Sequence, residues 1–225
     1  TAVADDAVLE VAASDHYVSR AAHKLIAALD AFRIDPAGRV ALDMGASTGG
    51  FTQVLRERGA EPVIAVDVGH GQLAASIAAD PAVACVEGFN VRYMTPGSLA
   101  AASGVTTAPS IVTGDLSFIS LSHVLPAAYA VAAPGADLVL LIKPQFEAGR
   151  TAVRGGLVTD PATRADAVAG VLWSACDASL GVLGLIASPI PGTHGNAEFV
   201  VHLGRDHGGN PTEWVSTVNR LAGAR

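Results

Sequence analysis

At 225 residues, half of them hydrophobic, the chain is long enough to bury one large core. Its net charge of -7, from 14 basic and 21 acidic residues, argues against strong RNA or DNA affinity by the chain alone. The greasiest tract, Leu138-Val139-Leu140-Leu141-Ile142, is far too short for a membrane span, so no stable membrane insertion is expected, and no signal peptide is visible. Cys85 and Cys176 both lie in apolar segments and read as buried thiols rather than a disulfide, which suits the cytoplasm.

Residues 1–13 are acidic and irregular and read as a linker or the edge of a further domain, with one domain spanning 14–225. Ser14 or Asp15 is a candidate cap for a helix from Tyr17 to Phe32, in which Ala21, Ala22, Leu25, Leu29 and Phe32 recur at helical spacing. Arg20 and Lys24 share a face of that helix, either as a solvated face or as an edge that meets a polyanion. With His23 they form one local basic cluster; Arg150 and Arg154 form another in a later loop.

Val40 to Met44 is short, apolar and partly β-branched, which predicts a buried strand ending at Asp43-Met44. Gly45, Gly49 and Gly50 then allow a sharp turn into a helix from Phe51 to Arg58, closed by Gly59. Strand, glycine turn and helix place a small ligand at the carboxyl end of a parallel strand. The turn lacks the Lys and Ser/Thr of a phosphate loop, and its glycines do not follow G-x-G-x-x-G. An acid at the strand end, Asp43, suits a ligand with a cationic group. A second acid, Asp67 at the end of the strand Val63 to Asp67, suits a ribose diol. Together these predict an S-adenosylmethionine site, with a plain α/β turn as the other reading.

A helix is expected over Gln72 to Ala79 and a strand over Val83 to Glu87, followed at the ligand end by Phe89-Asn90-Val91-Arg92. Asn90 either reaches the adenosine or holds its turn. Pro96 opens a short helix. Ser110 to Asp115 is the fourth strand, and Leu116 to Leu121 leads into a helix that Pro134-Gly135 breaks. Asp137 to Ile142 is the fifth strand. Gln145 to Thr159 reads as a loop, a candidate lid. A helix over Ala162 to Leu180 is followed by strands Val182 to Ala187 and Glu198 to Leu203, close enough in sequence to pair antiparallel, and by a last helix over Thr212 to Leu221. The alternation predicts an α/β fold: a seven-stranded, mostly parallel sheet with a C-terminal antiparallel strand and helices on both faces.

The chain has only two lysines, Lys24 and Lys143. Lys143 follows five apolar residues, so its stem is expected to be buried and its amine to sit at a strand end. A buried amine is costly unless paired. Asp115 and Glu198 fall at strand ends of the same edge, and two lysines with two acids would form a compact, nearly charge-balanced site. Each also has a plainer reading, as salt-bridge partner, helix cap, edge-strand residue or surface lysine. His23, His70 and His194 show no metal-ligand spacing, so no metal is expected. Ser117, Ser120 and Ser122 have no base near them in the pattern.

Five stretches resemble the TlyA (hemolysin A) family of ribosomal RNA 2'-O-methyltransferases, whose catalytic domain is similar to that of the FtsJ-type enzymes. They are Tyr17-Val18-Ser19-Arg20 with Lys24-Leu25, the Asp43 to Phe51 loop, Asp115 to Leu121, Lys143 to Glu147, and Gly195 to Phe199. Ala21-Ala22 stands where many members have two glycines. The resemblance implies a Rossmann-like methyltransferase fold and a catalytic tetrad of Lys24, Asp115, Lys143 and Glu198. It implies S-adenosylmethionine as cofactor, with S-adenosylhomocysteine as product, held by Asp43, Gly45, Ser47, Thr48, Gly49, Gly50, Phe51, Asp67, Val68, Asn90 and Asp115. The expected partner is ribosomal RNA in ribosomal subunits, bound mostly through a small N-terminal RNA-binding domain that would precede Thr1, and a monomer is expected. The family also carries a hemolysin label, for which no segment here offers a membrane span. Two other classes remain open on the residues: another α/β nucleotide-cofactor enzyme, and a cofactor-binding module without RNA methylation activity.

Overall fold

The structure is a computed structural model, described here for residues 15–149, 153, 155–192 and 195–224. The expected linker at 1–13, Ser14, Arg150, Arg154 and His194 lie outside the described residues.

Seven strands form one sheet: β1 (Ala41–Met44), β2 (Val63–Val66), β3 (Val83–Val86), β4 (Ile111–Gly114), β5 (Asp137–Ile142), β6 (Leu180–Ala187) and β7 (Phe199–Arg205). Their order is β3-β2-β1-β4-β5-β7-β6. The first five pair in parallel. β7 enters antiparallel between β5 and β6, with Ile142 opposite Phe199. The helices are α1 (Ala22–Phe32), α2 (Gly50–Glu57), α3 (Ala75–Ala78), α4 (Pro96–Ser103), α5 (Leu125–Val131), α6 (Pro144–Glu147), α7 (Pro161–Asp177) and α8 (Val215–Ala222).

Side chains alternate between the two faces of a strand, and here both faces are covered. Leu42 and Met44 of β1, with Leu138, Leu140 and Ile142 of β5, pack in the larger core beneath α5 and α7. Ala41, Val139, Leu141 and Val200 point the other way, onto Leu25 and Leu29 of α1 and Val54 and Leu55 of α2. Burial on both faces explains why β5 reads as one continuous apolar run rather than an alternating one.

The predicted strands all form, and the differences lie at helix ends. α1 begins at Ala22 rather than Tyr17. Asp15 does not cap it; its carboxylate pairs with the ring of His23. The preceding strap is fixed from outside, where Val18 N–H donates to Gln53 of α2 at 2.9 Å. α3 starts at Ala75 rather than Gln72 because the carboxylate of Glu87 accepts from the N–H groups of Gly71 and Gln72, at 2.7 and 3.0 Å, and holds that segment out of the helix. The expected 145–159 loop carries a helical turn, α6, with Pro144 at its first position. Glu147 at its end accepts from Leu121 N–H at 2.9 Å and Ser120 Oγ at 2.5 Å. The last helix opens with a 3₁₀ turn, Pro211–Trp214, capped by Asn210.

The cysteines correct the sequence reading. Both are free, but Cys85 is exposed and Cys176 only half-buried. β3 is an edge strand, so an apolar-looking segment there has one uncovered side.

Candidate active site

The parity of the strands decides which side chains meet. Asp43 and Thr113 share the α1/α2 face with Ala41 and Ile111, and carrying the alternation one step past β4 and β5 puts Asp115 and Lys143 on that side too. Glu198, just before antiparallel β7, arrives at the same edge because Phe199 pairs with Ile142. Lys24 comes down from α1 onto this edge.

The four residues are in contact. Lys143 Nζ lies 2.6 Å from Asp115 Oδ1, and Lys24 Nζ lies 2.6 Å from Glu198 Oε2 and 3.8 Å from Asp115 Oδ2. Asp115 therefore bridges the two amines. Lys24, Lys143 and Glu198 are 6%, 9% and 4% exposed, so the plain surface readings of Lys24 and Glu198 fail. Buried ions of this kind are tolerated only when paired, and here two cations face two anions. Arg20, four residues before Lys24, precedes α1 and is exposed, so the two do not share a helical face as expected: one cation is buried and the other solvated.

Beside the cluster a crevice runs along the glycine turn. Its narrow end, about 170 Å³, is lined by Ser19, Ser47, Thr48, Gly50, Asp115 and Lys143 among others. The wide end, about 560 Å³, is walled by Asp67, Val68, Phe89, Asn90, Leu116 and Phe118. Gly45, Ser47, Asp115 and Ser117 line both, so the two are continuous. Gly45 has a φ of +78°, and a Cβ there would stand 3.0 Å from Leu116 and 3.2 Å from the Asp115 carbonyl. Only glycine lets the turn pass so close to the end of β4. Asp67 accepts from Ser47 N–H and Gly69 N–H, both at 2.8 Å. Each of its oxygens can accept a further hydrogen bond, and the residue lines the crevice. Asn90 holds its turn, its Oδ1 accepting from Arg92 N–H at 3.0 Å, and it also lines the crevice.

Of the predicted cofactor residues, all but Asp43 and Gly49 line this crevice. Asp43 is fully buried and accepts from Thr52 Oγ1 at 2.7 Å and Thr113 Oγ1 at 3.1 Å. Burial pushes its carboxyl up to about 6, against the pull of the two threonine hydroxyls. Its place is behind the turn, tying the first turn of α2 to β4. Gly49, with φ +100°, packs under Leu73 and Ile77.

Residues 17–205 match the FtsJ-like methyltransferase family model. The 16S/23S rRNA (cytidine-2'-O)-methyltransferase TlyA of Mycobacterium tuberculosis (strain CDC 1551 / Oshkosh) is 48% identical over 206 residues, 90% of this chain and 75% of that protein. The chain belongs to the TlyA family. Hemolysin A of Brachyspira hyodysenteriae is 36% identical, covering 87% of this chain and 80% of its own length. Among solved structures, a hemolysin-named protein from Streptococcus thermophilus aligns with a TM-score of 0.86 at 38% identity, over 92% of this chain and 74% of that one. Among the described residues of this TlyA-family chain, no helix is long and apolar enough to cross a membrane.

Three residues of the TlyA-family site escaped sequence reasoning. Ser117, read as having no base nearby, accepts from Lys143 Nζ at 2.8 Å; the two are 26 positions apart, beyond any local pattern. Gly192 roofs Glu198: a Cβ there would stand 2.5 Å from Glu198 Cδ. Asn196, buried two residues before Glu198, donates to the Gly156 carbonyl at 2.8 Å and accepts from Val158 N–H at 3.3 Å. It ties the far end of the 145–159 segment to the turn that carries Glu198. The one local signal for it was the Gly195-Asn196-Ala197-Glu198-Phe199 motif itself.

Proposed function

We infer that the chain is a methyltransferase that uses S-adenosylmethionine to methylate the ribose 2'-oxygen of cytidine in ribosomal RNA, with S-adenosylhomocysteine as the product. The observation that carries this reading is the paired cluster of Lys24, Asp115, Lys143 and Glu198 at the end of a crevice of cofactor size, in a chain of the TlyA family.

The crevice fits the cofactor by its donors and its shape. Asp67 has acceptors to spare for a ribose diol, Val68, Phe89 and Leu116 offer apolar cover for an adenine, and the Gly45 to Phe51 turn leaves room for an amino-acid chain. When bound, S-adenosylmethionine supplies a methyl group already activated on sulfur. The work left to the chain is to hold the ribose hydroxyl in line and to manage its proton. Lys143 is the group at that point, as the proton acceptor or as the charge that steadies the forming alkoxide. Ser117 takes one of its N–H directions, and the Asp115 carboxylate stands against it as counter-charge at 2.6 Å. Lys24 and Glu198 fix the ribose and complete the charge pattern. Asp43 acts through Thr52 and Thr113, as a support for the turn.

Phe118 stands at the crevice mouth, 92% exposed. An aromatic ring so placed suits stacking on an unpaired base, the usual mode of sequence-specific RNA recognition. The acidic balance of the chain fits a division of labour in which a small N-terminal RNA-binding domain supplies most of the affinity for the ribosomal subunit. A chain with that substrate works in the cytoplasm.

The test is transfer of a radiolabelled methyl group to purified ribosomal subunits, by this chain alone and fused to such an RNA-binding domain, beside the Lys143→Ala variant. Label on a cytidine ribose, lost in the variant while S-adenosylmethionine affinity stays within a few-fold, is the expected result. Near-wild-type transfer by the variant, or label on a base, would overturn the role given to Lys143.

A further inference from the structure

Strands β4 and β5 deliver Asp115 and Lys143 to the site, and one side chain joins the segments that follow them. Glu147, at the end of α6, accepts from Leu121 N–H at 2.9 Å through Oε1 and from Ser120 Oγ at 2.5 Å through Oε2. We propose that Glu147 is a positioning residue for the methyl transfer: by holding the segment after β4 against α6, it sets Ser117 against Lys143 and so aims the amine. The proposal rests on the methyltransferase reading above.

Three observations carry it. First, the contacts close a ring. Lys143 Nζ donates to Ser117 Oγ at 2.8 Å, the chain runs on to Ser120, and Ser120 donates to Glu147. From Glu147 the ring returns to Lys143 within one helical turn, fixed by Phe146 N–H on the Lys143 carbonyl at 2.9 Å and Ala148 N–H on the Pro144 carbonyl at 2.8 Å. A closed ring has no free end, so a displacement of Ser120 is passed to Ser117. Second, the backbone between the two ties is strained. Residue Phe118 has a φ of +64°, a conformation that a bulky residue keeps only where its surroundings over-determine it. Ser117 is tied on one side of it, and Ser120 and Leu121 on the other. Third, Glu147 turns inward to make these bonds. Burial pushes its carboxyl above the usual range, against the pull of the Leu121 N–H, the Ser120 hydroxyl and the charge of His123. Water would remove that cost, and the side chain forgoes it. Ser120 has one proton and Glu147 takes it, so in the 2.8 Å contact between the hydroxyls of Ser120 and Ser122 the donor is Ser122.

Glu147 is absent from the residues that line either end of the crevice, so it acts through Ser117. Asp115 balances the charge of the amine, whereas the hydroxyl of Ser117 fixes one N–H direction. An amine misdirected by about 1 Å loses rate without losing substrate. The expected effect therefore falls on kcat.

The first test needs no methyl transfer. Lys24 and Lys143 are the only lysines, so carbon-13 at lysine Cε gives two side-chain signals, assigned with Lys143→Arg. The two Cε protons of Lys143 are expected to be inequivalent, because the amine is held. Ser117→Ala and Glu147→Ala are both expected to merge them while the Lys24 signal stays in place. Glu147→Gln is expected to keep them apart, since its amide can accept from Leu121 N–H and donate to Ser120 Oγ. An unchanged Lys143 signal in Glu147→Ala, or an equal change at Lys24, would overturn the proposal. In the transfer assay, Glu147→Ala is expected to lower kcat about tenfold, with KM for ribosomal subunits and S-adenosylmethionine affinity within about twofold, and Glu147→Gln to restore it. The double variant Ser117→Ala with Glu147→Ala is expected to fall no further than Ser117→Ala alone. Losses that multiply to roughly a hundredfold would show that Glu147 acts elsewhere, and overturn the proposal. If the wild-type chain methylates no RNA at all, the parent reading fails, while the lysine signals still decide whether Glu147 aims the amine.

Discussion

Lys24 and Glu198 are 174 positions apart and meet at 2.6 Å, both more than nine-tenths buried. Removing one partner leaves the other as an uncompensated buried charge, which costs far more than the pair contributes. Lys24→Met is therefore expected to lower stability by about 3 kcal/mol, roughly 6–12 °C in Tm for a chain of this size. The double variant Lys24→Met with Glu198→Gln is expected to recover most of that loss while remaining inactive. Thermal unfolding of the four chains in the cycle checks it, and additive losses would show that the two side chains are not coupled.

Gly192 and Gly170 make a contrasting pair. A Cβ on Gly192 would collide with the carboxylate of Glu198 and push it off Lys24. Gly192→Ala is expected to cut methyl transfer by at least about tenfold and to cost about 1–3 kcal/mol. Gly170, inside the 17-residue helix α7, has nothing within 4 Å of the same position. Gly170→Ala is expected to stabilise the chain by up to about 1 kcal/mol, the helix propensity difference, with activity unchanged. Urea unfolding and initial rates on both variants separate the two cases.

Asp43 gives a pH prediction with a definite sign. Its carboxyl sits at about 6 in the folded chain, above its ordinary 3.8. The folded state thus binds this proton more tightly than the unfolded state. The contribution to stability is full below about 3.8 and is lost as pH rises through about 6, after which it stays flat. The loss is on the order of 3 kcal/mol. Asp43→Asn removes this titration and can still bond Thr52 and Thr113, whose hydroxyls can accept as well as donate. The variant is expected to match the wild type near pH 4 and to exceed its stability increasingly up to pH 7. A difference that stays constant with pH would sink the assignment.

Ser117 tests how Lys143 is aimed. Its hydroxyl accepts from Nζ at 2.8 Å and is exposed to the crevice. Ser117→Ala frees one N–H direction of the amine but leaves its ion pair with Asp115. A fall in kcat of about tenfold with unchanged cofactor affinity is expected. An unaltered kcat would mean that Asp115 alone orients the amine.

The strands and the crevice-bearing edge were legible because they rest on local causes. β5 announced itself as a continuous apolar run, and the turn after β1 by glycines at positions that need positive φ or close approach. The family motifs pointed to the tetrad, and Lys143 stood out as one of only two lysines, placed at a strand end. What the sequence by itself determined was therefore the fold class, the ligand edge and the identity of the charged residues. It misled where an apolar segment became an edge strand, leaving Cys85 exposed, and where Glu87, accepting from the Gly71 and Gln72 N–H groups, holds Gln72 out of the expected helix.

Only the tertiary structure decided how those charges are joined. That Asp115 bridges two amines, that Ser117 meets Lys143, that Asp43 faces Thr52 and Thr113 instead of the crevice, and that Gly192 roofs Glu198 all follow from strand parity and from the insertion of β7 beside β5. Strand alternation fixes which face a side chain takes, but the partner on that face comes from a segment tens of residues away. Packing, and not any spacing in the chain, brings it there.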